Sequence, residues 1–234
     1  MAELDFDAFD VLTFDCYGTL IDWESGLLAA LRPPIAAHGI DANDEALLEA
    51  FARHEAELEG GPYLRYREIL GSVLEAMLAH HGQKATAEEL ATFGGSVADW
   101  PAFPDSPAAL QRLHERFRLG VITNCDDDLF AASQARLGVE FDWVVTAQQA
   151  KRYKPNPRGF ELMFERVGIP PSRILHVAQS LYHDHVPAKR LGLSTVWVDR
   201  RGDRTGFGAT PPAEATPDVT VPDVATLASR AVPT

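Results

Sequence analysis

Five short apolar runs, DVLTF (10–14), LGVIT (119–123), WVVT (143–146), ILHVA (174–178) and STVWV (194–198), constrain the fold of this 234-residue chain more than any other feature. Runs that are continuously apolar and β-branched suit strands covered on both faces, the condition of a parallel sheet. A helical pattern with Leu110 and Leu113 on one face (107–116) precedes the second run. Further patterns at 128–137, 157–167 and 185–191 each stop at a glycine, Gly138, Gly168 and Gly192, the usual C-cap signal. Strand alternating with helix predicts right-handed βαβ units, hence an α/β fold with a Rossmann-like parallel sheet. In such sheets ligands bind beyond the carboxyl ends of the strands.

Between the first and second runs, residues 22–101 show no strand signal and carry helical patterns at 43–58 and 63–81, broken by Gly60-Gly61-Pro62. The expectation is a core formed by 1–21 and 102–234, with 22–101 inserted after the first strand as a helical cap over the strand ends. The Pro- and Thr-rich stretch 210–216 reads as a surface loop before a short final strand and helix.

With 46% hydrophobic residues the chain can bury a full core. Its 21 basic and 34 acidic residues give a formal charge of −13, which repels phosphate backbones and anionic headgroups, so no nucleic-acid or membrane partner is expected. A small anionic substrate remains possible if the site supplies its own cation, because distant charges are screened beyond ~8 Å. Two cysteines, Cys16 and Cys125, are too few for a disulfide framework. The start MAELDFDAFD lacks a basic segment followed by an apolar core. These features predict a cytoplasmic protein.

Each predicted strand ends in polar residues. Asp15 follows the first and is itself followed by Gly18-Thr19; Thr123-Asn124 close the second; Lys154 comes shortly after the third; the run Gln179 to Asp184 follows the fourth. Alone, Asp15 is as well explained as a turn or cap residue. Four polar groups converging on one sheet edge describe a site.

The segments FDCYGTL, VITN, YKPNPRGFE and HVAQSLYHD, in this order across nearly the whole chain, resemble the four motifs of the haloacid dehalogenase superfamily. Phosphatases of that superfamily have a second aspartate two residues after the first, where this chain has Tyr17, and a paired acidic fourth motif, whereas Asp184 has no acidic neighbour. The sequence is therefore similar to the type II 2-haloacid dehalogenase branch.

That resemblance implies an aspartyl-ester mechanism without metal or cofactor, with Asp15 as nucleophile, Lys154 keeping it ionised, Asp184 near the hydrolytic water, and Thr19 beside them. It implies Tyr17, Thr123, Asn124, Ser180, Tyr182 and His183 around substrate or halide, with a halide-binding arginine from the cap, placed at Arg53 with Arg65 and Arg67 as rivals. It implies a small anionic 2-haloacid as substrate, and a homodimer.

Three positions depart from the branch: Phe160 replaces a tyrosine, Leu181 an asparagine and His183 a tryptophan. The last suggests a smaller, more polar wall suited to short substrates such as chloroacetate and fluoroacetate. The alternatives are a magnesium-dependent phosphatase of the same superfamily or a non-catalytic metabolite-binding protein. Asp126, Asp127 and Asp128 read as caps of the helix they open, His176 as a core histidine, and Trp23 as either pocket wall or hinge packing.

Overall fold

The computed structural model describes residues 4–202 and 212–233. Of the loop expected at 210–216, residues 210 and 211 lie outside the described residues, and 212–216 carry no regular structure. Strand β1 (Val11–Phe14) is followed by four helices, α1 (Trp23–Ala37), α2 (Asp44–Glu59), α3 (Tyr66–His80) and α4 (Ala87–Gly95). The alternating part then begins with α5 (Ser106–His114), β2 (Arg118–Thr123), α6 (Asp127–Leu137), β3 (Trp143–Thr146), α7 (Ala147–Ala150) and α8 (Arg158–Val167). It continues with β4 (Ile174–Ala178), α9 (Val186–Arg190) and β5 (Ser194–Val198), and closes with β6 (Val219–Val221) and α10 (Val224–Ala231).

The six strands form one parallel sheet in the order β3-β2-β1-β4-β5-β6. From β1 the chain runs outward to β2 and β3, then returns to the other side of β1 to lay down β4. The strand order thus reverses at β1, and the crevice beyond its carboxyl end is where this topology holds ligands. Asp15 stands there.

One buried cluster covers one sheet face and runs without a break into the inserted helices, joining Leu12, Phe14 and Val121 to Leu27, Phe51, Leu74 and Trp100. The opposite face carries a second cluster around Val11, Ile122, Phe160 and Met163. Both faces are covered, as the continuously apolar strands require. No helix among the described residues is long and apolar enough to cross a membrane.

Two of the inserted helices, α1 and α4, were not singled out by periodicity. Helix α1 carries Pro33 and Pro34 inside its bounds, a pattern that reads as a break. It starts because the Asp22 carboxylate accepts from Ser25 N. Helix α4 opens on a Thr86/Glu89 capping box. The glycine stops at 138 and 168 both adopt the left-handed conformation, with φ of 65° and 71°.

The turn after β1 requires glycine at 18. Its φ is 93°, and a Cβ there would lie 3.0 Å from Trp23 Nε1. Gly18→Ala is expected to cost about 1–2 kcal/mol from backbone conformation alone, read as a lower urea midpoint, and to shift Trp23 fluorescence because that indole must move.

Candidate active site

Four strand ends deliver the site. Asp15, one residue past β1, is buried; its Oδ1 accepts from Lys154 Nζ at 2.8 Å and its Oδ2 from Thr19 Oγ at 2.6 Å. Thr19 Oγ also accepts from Gln179 N at 2.9 Å, which joins the first strand end to the fourth. Lys154 is held by Asn124 from the end of β2: Asn124 Oδ1 accepts from Lys154 N at 2.7 Å, and Asn124 Nδ2 donates to Lys154 O at 3.1 Å. The Lys154 ammonium reaches Asp184 Oδ1 at 2.7 Å and Ile122 O at 2.9 Å as well as Asp15.

A single π-type turn, Leu181–His185, follows β4. Turns of this kind often mark functional sites, and here it brings Asp184 back under the sheet edge. Asp184 Oδ1 also bonds His176 Nε2 at 3.1 Å, and His176 Nδ1 bonds Thr13 Oγ at 3.0 Å. The last contact follows from register, since Thr13 on β1 and His176 on β4 are direct partners. His176 is thus a satisfied core histidine, as its apolar strand suggested, and it also fixes the carboxylate of Asp184. Phe160, where the resemblance implied a tyrosine, packs edge-on against the His176 ring at 5.0 Å.

One lysine between two buried carboxylates sets the electrostatics. Burial pushes Lys154 down, but the charges of Asp15 and Asp184 more than reverse it and hold the ammonium ionised. Burial pushes Asp184 up, and Lys154 with His176 overcomes that, leaving it well below the usual carboxylate range. Asp15 goes the other way. Burial raises it, Lys154 lowers it, and the charge of Asp184 adds to the rise, so the net shift is upward. The expectation that Lys154 simply keeps Asp15 ionised is corrected to that extent: the lysine is shared.

A compact pocket of about 60 Å³ opens on Asp15. Of the residues expected around substrate or halide, Tyr17, Asn124, Ser180 and His183 line it. The Tyr17 hydroxyl is taken by Ser133 at 3.0 Å. Ser180 Oγ accepts from His183 N at 3.0 Å and bonds His183 Nδ1 at 3.1 Å. Burial pushes His183 down to about 4, so its ring is neutral at pH 7.

Thr123 and Tyr182 do not line the pocket. Thr123 is buried with its hydroxyl unpartnered, and Tyr182 packs edge-on against His183 at 4.9 Å. The amides of Gly18, Thr19 and Leu20 are closed within the turn on Ile21 O and Cys16 O.

The arginine expectation is corrected outright. Arg53 is exposed on α2, Arg65 is exposed at the start of α3, and Arg67 binds Asp126 and Asp128; none lines the pocket. In their place α2 presents Glu55 and Glu59. Glu55 Oε1 accepts from the Tyr66 hydroxyl at 2.7 Å, and Glu59 Oε2 lies 3.4 Å from Asn124 Nδ2.

Helical phase explains the exchange. Leu47, Phe51, Glu55 and Glu59 recur every four residues, and Leu47 and Phe51 are buried, so the stripe that faces inward carries the glutamates while Arg53, two residues on from Phe51, projects away. That signal is in the sequence. Trp23 proves to be both pocket wall and packing partner, lining the cavity and meeting Phe51 at 6.2 Å.

Asp126 also departs from expectation. It makes no side-chain bond to its own helix; it is buried and accepts instead from Tyr66 N at 3.0 Å and Arg67 N at 3.2 Å. It thereby caps α3 from the sheet side and clasps the inserted helices to the core. Asp127 accepts from Thr146 Oγ and Gln149 Nε2. Among the described residues no group of three His, Cys, Asp or Glu side chains is arranged to hold a metal.

A family model described as haloacid dehalogenase-like hydrolase matches residues 9–192. An (S)-2-haloacid dehalogenase 4A from Burkholderia cepacia is 24% identical over 208 residues, 84% of this chain and 86% of that one. A validoxylamine A 7'-phosphate phosphatase from Streptomyces hygroscopicus subsp. limoneus is 28% identical over 215 residues, 83% of this chain and 88% of that one. Among solved structures, an L-2-haloacid dehalogenase from Xanthobacter autotrophicus with covalently bound chloropropionic acid superposes with a TM-score of 0.78 at 22% identity, covering 94% of this chain and 97% of that one.

Proposed function

The chain belongs to the haloacid dehalogenase-like hydrolase family, and on that premise we propose that it hydrolyses the carbon–halogen bond of short 2-halo compounds, 2-haloacids being the class named for its relatives, through an ester on Asp15. The observation that carries this reading is Asp15 itself: a buried carboxylate at the switch point, held at both oxygens by Lys154 and Thr19 and facing a compact pocket in which the residue two positions on is Tyr17, where the phosphatase motif has its second aspartate.

In the first step an Asp15 oxygen attacks the α-carbon from the side opposite the halogen, and the halide leaves with the bonding pair. It needs donors but no proton. Trp23 and Gln179 line the pocket with N–H groups that no other described contact engages, and they are suited to receive it. In the second step water adds to the carbonyl carbon of the ester, the bond from that carbon to the substrate oxygen breaks, and the product leaves as the 2-hydroxy compound. Asp184 lines the pocket, and its Oδ2 is buried without a partner, an acceptor open to that water. The low position of Asp184 makes it a carboxylate that orients water more than one that takes its proton.

A single turnover in ¹⁸O-water tests this, since the new oxygen ends on Asp15. Label in the peptide containing Asp15, with halide release undiminished by EDTA, is expected. Label found only in product, or release that depends on magnesium, overturns the reading in favour of direct hydrolysis or of the phosphatase chemistry named for the Streptomyces relative.

The pH profile has a definite sign. Only ionised Asp15 attacks, and its carboxyl is shifted up by burial and by Asp184. The kcat/KM for halide release should therefore fall on acidification at a pH above the ordinary aspartate value.

A further inference from the structure

We propose that Glu55 and Glu59 make this pocket select substrates bearing an N–H donor next to the reacting carbon, a primary amide or an ammonium group, over free carboxylates. The inference rests on the Asp15 displacement proposed above and changes the substrate class assigned to it.

The cationic donor of the pocket and most of its neutral ones are already committed, the N–H groups of Trp23 and Gln179 being those set aside for the halide. An ammonium has three protons, and Lys154 places its three on Asp15, Asp184 and Ile122 O. Both amide protons of Asn124 face acceptors, Lys154 O and Glu59. The Thr19 hydroxyl donates to Asp15 and the Tyr17 hydroxyl pairs with Ser133. Lys154 is the one cationic side chain lining the pocket among the described residues.

Acceptors, by contrast, are left over. Asp184 Oδ2 is buried and unpartnered. Glu55 holds a hydroxyl on one oxygen, and Glu59 has a single contact at 3.4 Å. A substrate carboxylate placed here meets the charges of Asp15 and Asp184, joined by Glu55 once it ionises, while Lys154 is already shared between the two aspartates, and like charges at close quarters discriminate strongly. An amide or ammonium supplies what the two glutamates lack. Burial pushes Glu55 up to about 7 and Glu59 well above the usual range, so each gains most from a ligand whose N–H donors draw it into the ionised, accepting form.

Chloroacetamide and chloroacetate test the proposal, because they share the reacting carbon and differ in donor and charge. Halide is followed over many turnovers, since alkylation of the two cysteines releases at most one equivalent each. The full chain is expected to favour chloroacetamide in kcat/KM by about tenfold or more, as a site with acceptors waiting for N–H rejects the analogue that lacks it. The margin should widen from about pH 6 to about pH 8 as Glu55 ionises, and the Glu55→Gln/Glu59→Gln double variant should narrow it.

Preference for chloroacetate by the unaltered chain at both pH values overturns the proposal, as does an unchanged ratio in a folded double variant. Should that variant not fold, the unaltered chain's preference and its pH trend decide alone. Halide from neither compound overturns the displacement reading instead. Charge selection is then read from binding of glycolamide against glycolate by ligand-observed NMR, and equal binding of glycolate overturns it.

Discussion

Asp15→Asn is expected to lower multiple-turnover halide release by on the order of 10⁴-fold or more, the scale on which an enzyme loses activity when its nucleophile is removed. The asparagine is the same size as the aspartate, and the site can receive it. Its carbonyl can keep the Lys154 bond now made by Oδ1, and its amide can face Thr19 Oγ, an oxygen that already accepts from Gln179 N. Thermal midpoint and circular dichroism should therefore stay near those of the unaltered protein while turnover disappears. What is lost is an oxygen with enough negative charge to displace halide. If a folded Asp15→Asn protein keeps more than about a tenth of its turnover, a margin far inside the loss a nucleophile should cause, the nucleophile lies elsewhere.

The lysine, the two aspartates and their order along the chain were legible because each follows a strand whose apolar run announces itself. A parallel sheet places such positions together whatever lies between them. The partner of Asp126 was not legible, because the amides it caps belong to Tyr66 and Arg67, 60 and 59 residues away, and an acid before a helix reads equally well as a cap of that helix. His176 is a similar case. An apolar strand gives no hint that its ring will meet Asp184 across a π-type turn, while its other bond, to Thr13, is set by strand register.

The arginine failed for a different reason. The resemblance pointed to Arg53 on α2, whereas the face that α2 turns inward is decided by Leu47 and Phe51. Following that apolar stripe one turn further leads to Glu55, and a second turn to Glu59. Periodicity was the stronger guide there, because burial of two large side chains fixes the rotation of the helix, and no charge preference on the exposed side can turn it.

Lys154→Met is the severest test of how the site and the fold depend on each other. Methionine fills much of the volume but leaves Asp15 and Asp184 buried together with no cation between them. Removing one partner of a buried ion pair costs about 3–5 kcal/mol, and here one ammonium serves two carboxylates, so the upper end of that range is expected near neutral pH. The pH dependence should change sign in part. In the unaltered protein Asp184 lies below its unfolded value, so it contributes stability that is present above the unfolded value and lost as pH falls through the folded one. Asp15 opposes it, being raised. Without Lys154 burial and mutual repulsion raise both carboxyls, against which Asp184 keeps only its His176 bond, so the pair binds more protons in the folded state and its contribution to stability increases on acidification. Urea unfolding at about pH 5 and about pH 8 reads this directly: the loss caused by the substitution should be smaller at the lower pH. A loss of the same size at both would mean that Asp15 and Asp184 do not depend on Lys154 for their charge, and the shared-lysine account of the nucleophile would fall with it.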